Sequence, residues 1–137
     1  MGNCVDNKHL KFFFFLIFLL SAGVLSAQDT TGKAISEMEF SKRMQKRKTV
    51  VLDVRTPDEY KEGHIKNAIN YNVLDSVAFE KQINTLKKNK RYLLYCKSGI
   101  RSGKALMRMQ QKGFKQIYHL SGGITAWTGE IEKPETK

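Results

Sequence analysis

The stretch RYLLYCKSGIR, residues 91–101, decides how this chain folds and where its chemistry lies. Its first five residues are mostly apolar, as is typical of a buried β-strand. A small polar loop follows Cys96, and a helical pattern begins at Arg101. A turn from strand to helix brings backbone N–H groups and the positive end of a helix dipole together. A cysteine at such a turn ionises more readily, and the thiolate is its reactive form.

Strand and helix patterns alternate on both sides of this stretch. Residues 49–54 are apolar and β-branched, which predicts a strand buried on both faces. A Ser-x-x-Glu pattern at Ser36 predicts a helix to about residue 46, and Thr56 with Pro57 predicts a short helix that Gly63 ends. Further strands are expected at 68–71, 91–95 and 116–120, and further helices at 75–86, 101–111 and 124–127. Such alternation predicts an α/β fold with a parallel sheet and helices on both faces.

The 137 residues have room for one domain, and the first 27 do not read as part of it. Lys8 and Lys11 precede an unbroken apolar run at 12–20, and small residues follow at Ser26 and Ala27. This order predicts a secretory signal peptide that is cleaved after Ala27. The other expected segments are a polar linker at 28–33, a folded domain at 34–130 and a polar tail at 131–137.

The alternative for residues 1–27 is an uncleaved membrane anchor. The apolar run is shorter than the roughly 20 residues that span a bilayer, which favours cleavage. We therefore expect a secreted or periplasmic protein without stable membrane insertion after cleavage, and keep a membrane-anchored form as the alternative. The sequence carries no prediction of an oligomeric state.

The chain has two cysteines, and Cys4 would leave with the signal peptide. Exported proteins usually use cysteines in pairs, as disulfides. Cys96 alone cannot form an internal bridge, so it is an inert buried thiol, an intermolecular partner or a nucleophile. Its loop favours the nucleophile. With only His64 and His119 beside it in the mature chain, no metal-site spacing exists, and we expect no metal and no cofactor.

The formal net charge of +11 raises the question of anionic partners. The basic residues are scattered rather than interleaved with aromatic ones, and the densest group, at 42–48, falls on a helical segment and its end. This pattern indicates a solvated helix face, so no nucleic-acid partner is expected. Attraction of small anionic substrates, or of an anionic membrane surface, is the alternative.

The chain resembles the single-domain rhodaneses of the thiosulfate sulfurtransferase family. Several motifs occur in family order: Leu52-Asp53-Val54-Arg55, Glu59-Tyr60, Gly63-His64-Ile65 with Ala68, the loop from Cys96 to Arg101 with Ser102, and Leu120-Ser121-Gly122-Gly123 with Trp127. Asn67 departs from the pattern, since the family often has glycine there. The resemblance implies a rhodanese-like domain at 34–130, with a five-stranded, mainly parallel sheet flanked by helices on both faces.

The resemblance also implies sulfane transfer through a persulfide on Cys96. The partners would be a small anionic sulfur donor, such as thiosulfate, and a thiophilic acceptor, such as cyanide or a thiol. Asp53 and His64 are expected to support the structure. Substrate-binding residues are expected at Lys97, Ser98, Gly99, Ile100, Arg101 and Arg55.

Two arginines have open roles at this point. Arg101 would bind the sulfonate end of the donor or brace the loop, and Arg55 would contact substrate or serve the scaffold. For the loop itself, the expected contribution is a set of backbone N–H groups that stabilise the thiolate and the persulfide. Gly99 would allow the tight backbone path.

Three rival functions remain. Phosphatases and arsenate reductases on related folds also place a cysteine and an arginine around an anion loop, but with five residues between them. Here there are four, at 97–100, and a tighter loop suits a sulfur atom better. The other rivals are a persulfide carrier and a non-catalytic module that docks a protein. The presence of Cys96 argues against the non-catalytic module.

Overall fold

The computed structural model describes residues 33–134, and within this range five strands form one parallel sheet. Its order is β1-β6-β5-β2-β4, and β3 pairs with β7 in a separate antiparallel ladder. The predicted α/β class with a five-stranded sheet is confirmed. The strands are Lys33–Ile35 (β1), Thr49–Asp53 (β2), His64–Ile65 (β3), Ile69–Asn70 (β4), Arg91–Tyr95 (β5), Ile117–Leu120 (β6) and Ile131–Glu132 (β7).

The helices begin where the sequence provides caps. The Ser36 side chain accepts a hydrogen bond from the Glu39 N–H, Thr56 and Glu59 form a complete capping box, and Asp75 caps the third helix. The fourth helix has no side-chain cap and starts directly after Gly99. The helices are Glu37–Met44 (α1), Pro57–Glu62 (α2), Ser76–Asn84 (α3) and Ile100–Gln111 (α4), with a 3-10 helix at Gly123–Ala126.

The side chains of β5 alternate between two cores, one on each face of the sheet. Tyr92, Leu94 and Cys96 belong to the core that contains residues of α3 and α4. Leu93 and Tyr95 belong to the opposite core, which contains Phe40 of α1. A strand buried on both faces reads as a continuous apolar run, which explains why residues 91–95 gave such a clear signal. The same alternation places Cys96 under α4.

The strand register brings two polar segments to one edge of the sheet. Asp53 lies opposite Tyr95 in the parallel pairing of β2 with β5, so the carboxyl ends of both strands coincide. Arg55 and Cys96 therefore leave the sheet at the same edge. In open parallel sheets this is the edge where ligands bind.

Two predicted boundaries are wrong. Lys33 was assigned to the polar linker, but it lies in β1 and pairs with Tyr118. Ile131 and Glu132 were assigned to the polar tail, but they form β7 and pair with β3. Both strands are short, two or three residues, so neither contains enough alternation to be recognised. Their pairing depends on partners far away along the chain.

The predicted signal peptide and most of the predicted linker lie outside the described residues. Across residues 33–134, no helix has both the length and the apolar character needed to cross a membrane.

Candidate active site

The loop after β5 is anchored to the 3-10 helix. The Cys96 carbonyl accepts a hydrogen bond from the Ile124 N–H at 2.8 Å. The Lys97 carbonyl accepts two from Thr125, from the backbone N–H at 3.2 Å and from the hydroxyl at 2.8 Å. The 3-10 helix thus holds the carbonyl groups of the loop. The Gly99 N–H of the loop is available to the cysteine sulfur inside it.

Glycines permit this close approach. Gly123 has a φ of 61°, and a Cβ there would collide with the carbonyl oxygens of Cys96 and Lys97. Gly99 has a φ of 101°, in the left-handed region that side chains disfavour. Gly123, which the sequence offered only as part of a resemblance, therefore has a physical reason to be glycine.

The sulfur of Cys96 lies inside this loop, with 1% of the residue exposed. The Gly99 N–H donates to Sγ at 3.1 Å, and the Ser102 Oγ lies 3.6 Å from Sγ. Burial raises the pKa of the Cys96 thiol, but hydrogen bonds from the Ser102 hydroxyl and from the N–H groups of Ser102, Gly99 and Ser98 favour the thiolate more strongly. The net pKa is below its ordinary value, as a nucleophilic thiol requires.

Arg101 forms a bidentate ion pair with Glu59 rather than pointing freely into the loop. Its two terminal nitrogens each lie 2.7 Å from one carboxylate oxygen. Glu59 is also the capping-box residue of α2, so this pair ties the start of α4 to the start of α2. The hydrogen bond from Arg101, against some opposing burial, lowers the pKa of Glu59 to about 2. The negative charge of a Cys96 thiolate is among the influences that raise the pKa of Arg101, after that of Glu59.

Arg55 is buried and engaged with protein groups. Its guanidinium bonds both oxygens of Asp53 at 2.6–3.0 Å and the Gly63 carbonyl at 2.7 Å. Asp53 also accepts from the Tyr95 hydroxyl at 2.7 Å, and that hydroxyl accepts from the Ile65 N–H. In this structure Arg55, for which the sequence left substrate contact and a scaffold role open, bonds Asp53 and the Gly63 carbonyl.

His64 also lies in the scaffold. Its ring stacks on Tyr60 with centroids 3.7 Å apart, and its Nδ1 lies 3.1 Å from the Tyr60 carbonyl oxygen. The three remaining predicted loop residues, Lys97, Ser98 and Ile100, are exposed, and 69% of Ile100 is accessible. These three line the rim, while Gly99 and Cys96 form the interior.

Two functional candidates escaped sequence reasoning. Ser102 was noted only as part of a motif, and His119 only as a strand residue, yet Ser102 Oγ lies between Cys96 Sγ and His119 Nδ1, which is 3.2 Å away. The one available signal was position: Ser102 is in the first turn of α4, where side chains lean back toward the N-terminus. His119 had no local signal. Within residues 33–134, no cluster of three or more His, Cys, Asp or Glu side chains could hold a metal ion.

Comparison with known proteins agrees with this fold. A family model described as the rhodanese-like domain matches residues 36–130. The solved structure of a rhodanese-like domain protein from Staphylococcus aureus is 28% identical, with a TM-score of 0.65, and the match covers 75% of this chain and 99% of that one.

Curated relatives are similar over most of the chain. A tRNA uridine(34) hydroxylase from Pelagibacter ubique is 37% identical over 112 residues, which cover 82% of this chain but only 37% of that protein. The uncharacterized protein YqhL from Bacillus subtilis is 33% identical over 118 residues, which cover 86% of this chain and 88% of that one. The chain thus spans little more than a third of the hydroxylase but most of YqhL. With the family model matching well over half of its length, this chain belongs to the rhodanese-like domain family.

Proposed function

We propose that this protein is a sulfurtransferase that carries sulfane sulfur as a persulfide on Cys96. The donor is thiosulfate or a related anion, and the acceptor is cyanide or a thiol. One observation supports this most directly: the Cys96 sulfur is buried in a loop of backbone N–H groups that lower its pKa, in a member of the rhodanese-like family.

The reaction has two displacements. The Cys96 thiolate attacks the outer sulfur of thiosulfate, and the S–S bond of the donor breaks with its electron pair on the leaving sulfite. The acceptor then attacks the terminal sulfur of the persulfide, and Cys96 leaves as a thiolate. Such covalent catalysis divides one difficult transfer into two easier ones.

The loop residues have distinct tasks in this mechanism. The Gly99 N–H, already 3.1 Å from Sγ, stabilises the negative charge of the attacking thiolate and the charge that returns to Sγ when the acceptor takes the outer sulfur. Arg101 contributes positive potential from its place on Glu59. Exposed Lys97 at the rim attracts the anionic donor.

A persulfide carrier that delivers sulfur to a docked protein is the nearest alternative, because it uses the same cysteine. It would form the persulfide normally but release sulfur poorly to small acceptors. A phosphoryl-transfer enzyme is disfavoured by the four residues between Cys96 and Arg101 and by the engagement of the Arg101 guanidinium with Glu59. Hydrolysis of a phosphoryl ester that depends on Cys96 would reverse this ranking.

The relative from Pelagibacter ubique, by its name a tRNA uridine(34) hydroxylase, supplies a second candidate function. Two observations favour this candidate: the 37% identity with that protein and the net charge of +11 of this chain. Against it stand the scattered basic residues and the 37% of that protein that is spanned. We expect no stable tRNA complex in a gel shift at physiological salt and no Cys96-dependent hydroxylation of uridine. A salt-sensitive complex with hydroxylated product would favour this candidate instead.

Export of the protein is part of the proposal. We expect secreted or periplasmic material to begin at Gln28. The N-terminal sequence of the exported protein measures this, and intact residues 1–27 in a membrane fraction would favour the anchored form.

Intact mass measures the proposed chemistry directly. In a Cys4→Ser background Cys96 is the sole thiol, and the protein is weighed before thiosulfate, after it, and after subsequent cyanide. We expect a gain of one sulfur atom that cyanide removes and that Cys96→Ser abolishes. No gain in folded protein would contradict transfer from thiosulfate.

A further inference from the structure

The buried hydroxyl of Ser102 has three polar neighbours. Its Oγ lies 3.6 Å from Cys96 Sγ, 3.1 Å from the Gly99 carbonyl oxygen and 3.2 Å from His119 Nδ1. Ser102 belongs to α4 and His119 to β6, so the contact joins two separate elements. With Ser102 wholly buried, these neighbours set the direction of its hydroxyl proton.

The direction of the Ser102 hydroxyl depends on which nitrogen of His119 carries the proton. A hydroxyl donates one hydrogen bond and accepts two. In the thiol state the Cys96 S–H donates to Ser102 Oγ, and the Ser102 hydroxyl donates to the Gly99 carbonyl. In this arrangement the contact with His119 is one that Ser102 accepts, which requires a proton on Nδ1 of His119. With the proton on Nε2 instead, the Ser102 hydroxyl would donate to Nδ1, and the Gly99 carbonyl would keep the Gly103 N–H as its donor.

Ionisation of Cys96 changes the direction of the Ser102 hydroxyl. The thiol proton leaves to solvent, and Sγ becomes an acceptor. The Ser102 hydroxyl can turn from the Gly99 carbonyl to the sulfur, because the Gly103 N–H still donates to that carbonyl at 3.0 Å. With a proton on Nδ1 of His119, the hydroxyl cannot donate toward His119.

We propose that His119 is a positioning residue for Cys96: as the neutral Nδ1–H tautomer it donates to Ser102 Oγ and thereby directs the Ser102 hydroxyl onto the cysteine sulfur. This inference deepens the proposed sulfur transfer and rests on it. His119 acts through Ser102 and holds the hydroxyl ready for the thiolate.

The surroundings of His119 keep it neutral. Its strand partners are Ala34 on β1 and Leu94 on β5, and Gly103 of α4 lies against its ring; none of these three residues carries a titratable group. Burial is the cause that lowers the pKa of His119. A Cys96 thiolate also interacts with the positive charge of Arg101, whose pKa it helps to raise after the larger influence of Glu59.

Alkylation of Cys96 by iodoacetamide across a range of pH tests the proposal. The full chain is used in the Cys4→Ser background. His119→Phe keeps a planar ring but removes the donor, and we expect its alkylation midpoint to move to higher pH, with a roughly threefold lower rate below the midpoint. His119→Asn supplies an amide N–H in place of Nδ1–H and should return the profile toward that of the parent. An unchanged midpoint in His119→Phe, or no recovery in folded His119→Asn, would overturn the proposal.

A double-mutant cycle separates positioning from packing. Ser102→Ala removes the hydroxyl through which His119 acts, so we expect His119→Phe to produce no further shift in that background. Shifts that add in the double variant would show that His119 affects Cys96 by another route and would overturn the relay.

Nitrogen-15 NMR of His119 needs no variant at the site. We expect the neutral ring to be protonated at Nδ1, and protonation at Nε2 would overturn the proposal. Neither alkylation nor NMR uses a sulfur donor. Failure of this inference is therefore distinguishable from failure of the proposed function, which the intact-mass measurement reports.

Discussion

Two neighbouring strands end at the same edge of the sheet with opposite electrostatic arrangements. After β2, the carboxylate of Asp53 forms a buried ion pair with Arg55 and also accepts a hydrogen bond from the Tyr95 hydroxyl. After β5, the groups at hydrogen-bonding distance of the Cys96 sulfur within residues 33–134 are N–H and O–H groups, and the guanidinium of Arg101 is paired with Glu59. One strand end is neutralised by a full opposite charge, and the other is surrounded by partial ones.

This electrostatic difference assigns a structural role to the end of β2 and a reactive role to the end of β5. A buried, hydrogen-bonded ion pair is costly to break, because either partner alone is an uncompensated charge. Partial positive charges, by contrast, stabilise a thiolate without neutralising it, so the sulfur keeps its nucleophilicity. We expect substitutions at the end of β2 to affect stability and substitutions at the end of β5 to affect chemistry.

The largest expected effect is at Cys96. Cys96→Ser replaces sulfur by oxygen at nearly constant size, so we expect complete loss of thiosulfate-to-cyanide transfer with an unchanged urea unfolding curve. A steady-state assay and urea denaturation measure the two quantities. Transfer that survives in Cys96→Ser would place the chemistry elsewhere.

The matching change at the end of β2 is Asp53→Asn. It removes the negative charge and leaves the buried Arg55 guanidinium unpaired, so we expect a loss of about 3 kcal/mol or more in the free energy of unfolding. The Asp58→Asn variant is the control, because 93% of the Asp58 side chain is exposed and its pair with Lys61 is long, at 3.8 Å; we expect a change within about 0.5 kcal/mol. Equal effects of the two variants would remove the distinction between the strand ends.

The support of the Cys96 loop can be disturbed from outside. Gly123→Ala forces a side chain against the carbonyls of Cys96 and Lys97 at a positive φ, and we expect about 2 kcal/mol of destabilisation together with slower alkylation of Cys96. Gly103→Ala is the matched control, since its Cβ would meet only the His119 ring at 3.6 Å, and helix propensity should make it neutral or stabilising. Normal alkylation in folded Gly123→Ala would show that the loop holds its shape without this contact.

The smallest expected effect is at the Glu59–Arg101 pair. Because the folded pKa of Glu59 is depressed to about 2, its contribution to stability is present above pH 4.5 and is lost as the pH falls toward 2. We expect Glu59→Gln to be about 1 kcal/mol less stable at pH 7, and this difference to disappear near pH 2. Urea denaturation at several pH values measures it, and a difference independent of pH would exclude the ion pair as its source.

The same variant sharpens the role of Arg101. If Arg101 acts as a brace on Glu59, thiosulfate kcat/KM should fall to a similar extent in Glu59→Gln and Arg101→Ala, and the double variant should lose little more. A far larger loss in Arg101→Ala alone would give that residue a direct contact with the donor.

Local patterns were enough to predict most of the fold. The strand at residues 91–95 was predicted with its observed bounds, and the caps at Ser36 and Thr56 lie where expected. Each of these signals involves only residues a few positions apart. The short strands β3 and β7 were missed, because their pairing joins distant segments that have no pattern of their own.

The candidate site divides in the same way. The position of Cys96 between a strand and a helix could be predicted from residues 91–101 alone, because the loop and the start of the helix follow it directly. The hydrogen-bonding partners of the surrounding side chains could not be predicted from the sequence, because they lie far apart along the chain. Glu59 lies 42 positions before Arg101, and His119 lies 17 positions after Ser102.

The sequence by itself determined an alternating α/β chain and a cysteine at the turn between its clearest strand and the next helix, because hydrophobic periodicity and turn residues act locally. Only the tertiary structure decided that Arg101 is held by Glu59, that Arg55 closes on Asp53 in the interior, and that the Ser102 hydroxyl stands between Cys96 and His119. Those choices depend on how α2, α4 and β6 pack around one sheet edge, and packing at that edge brings together residues that no local pattern connects.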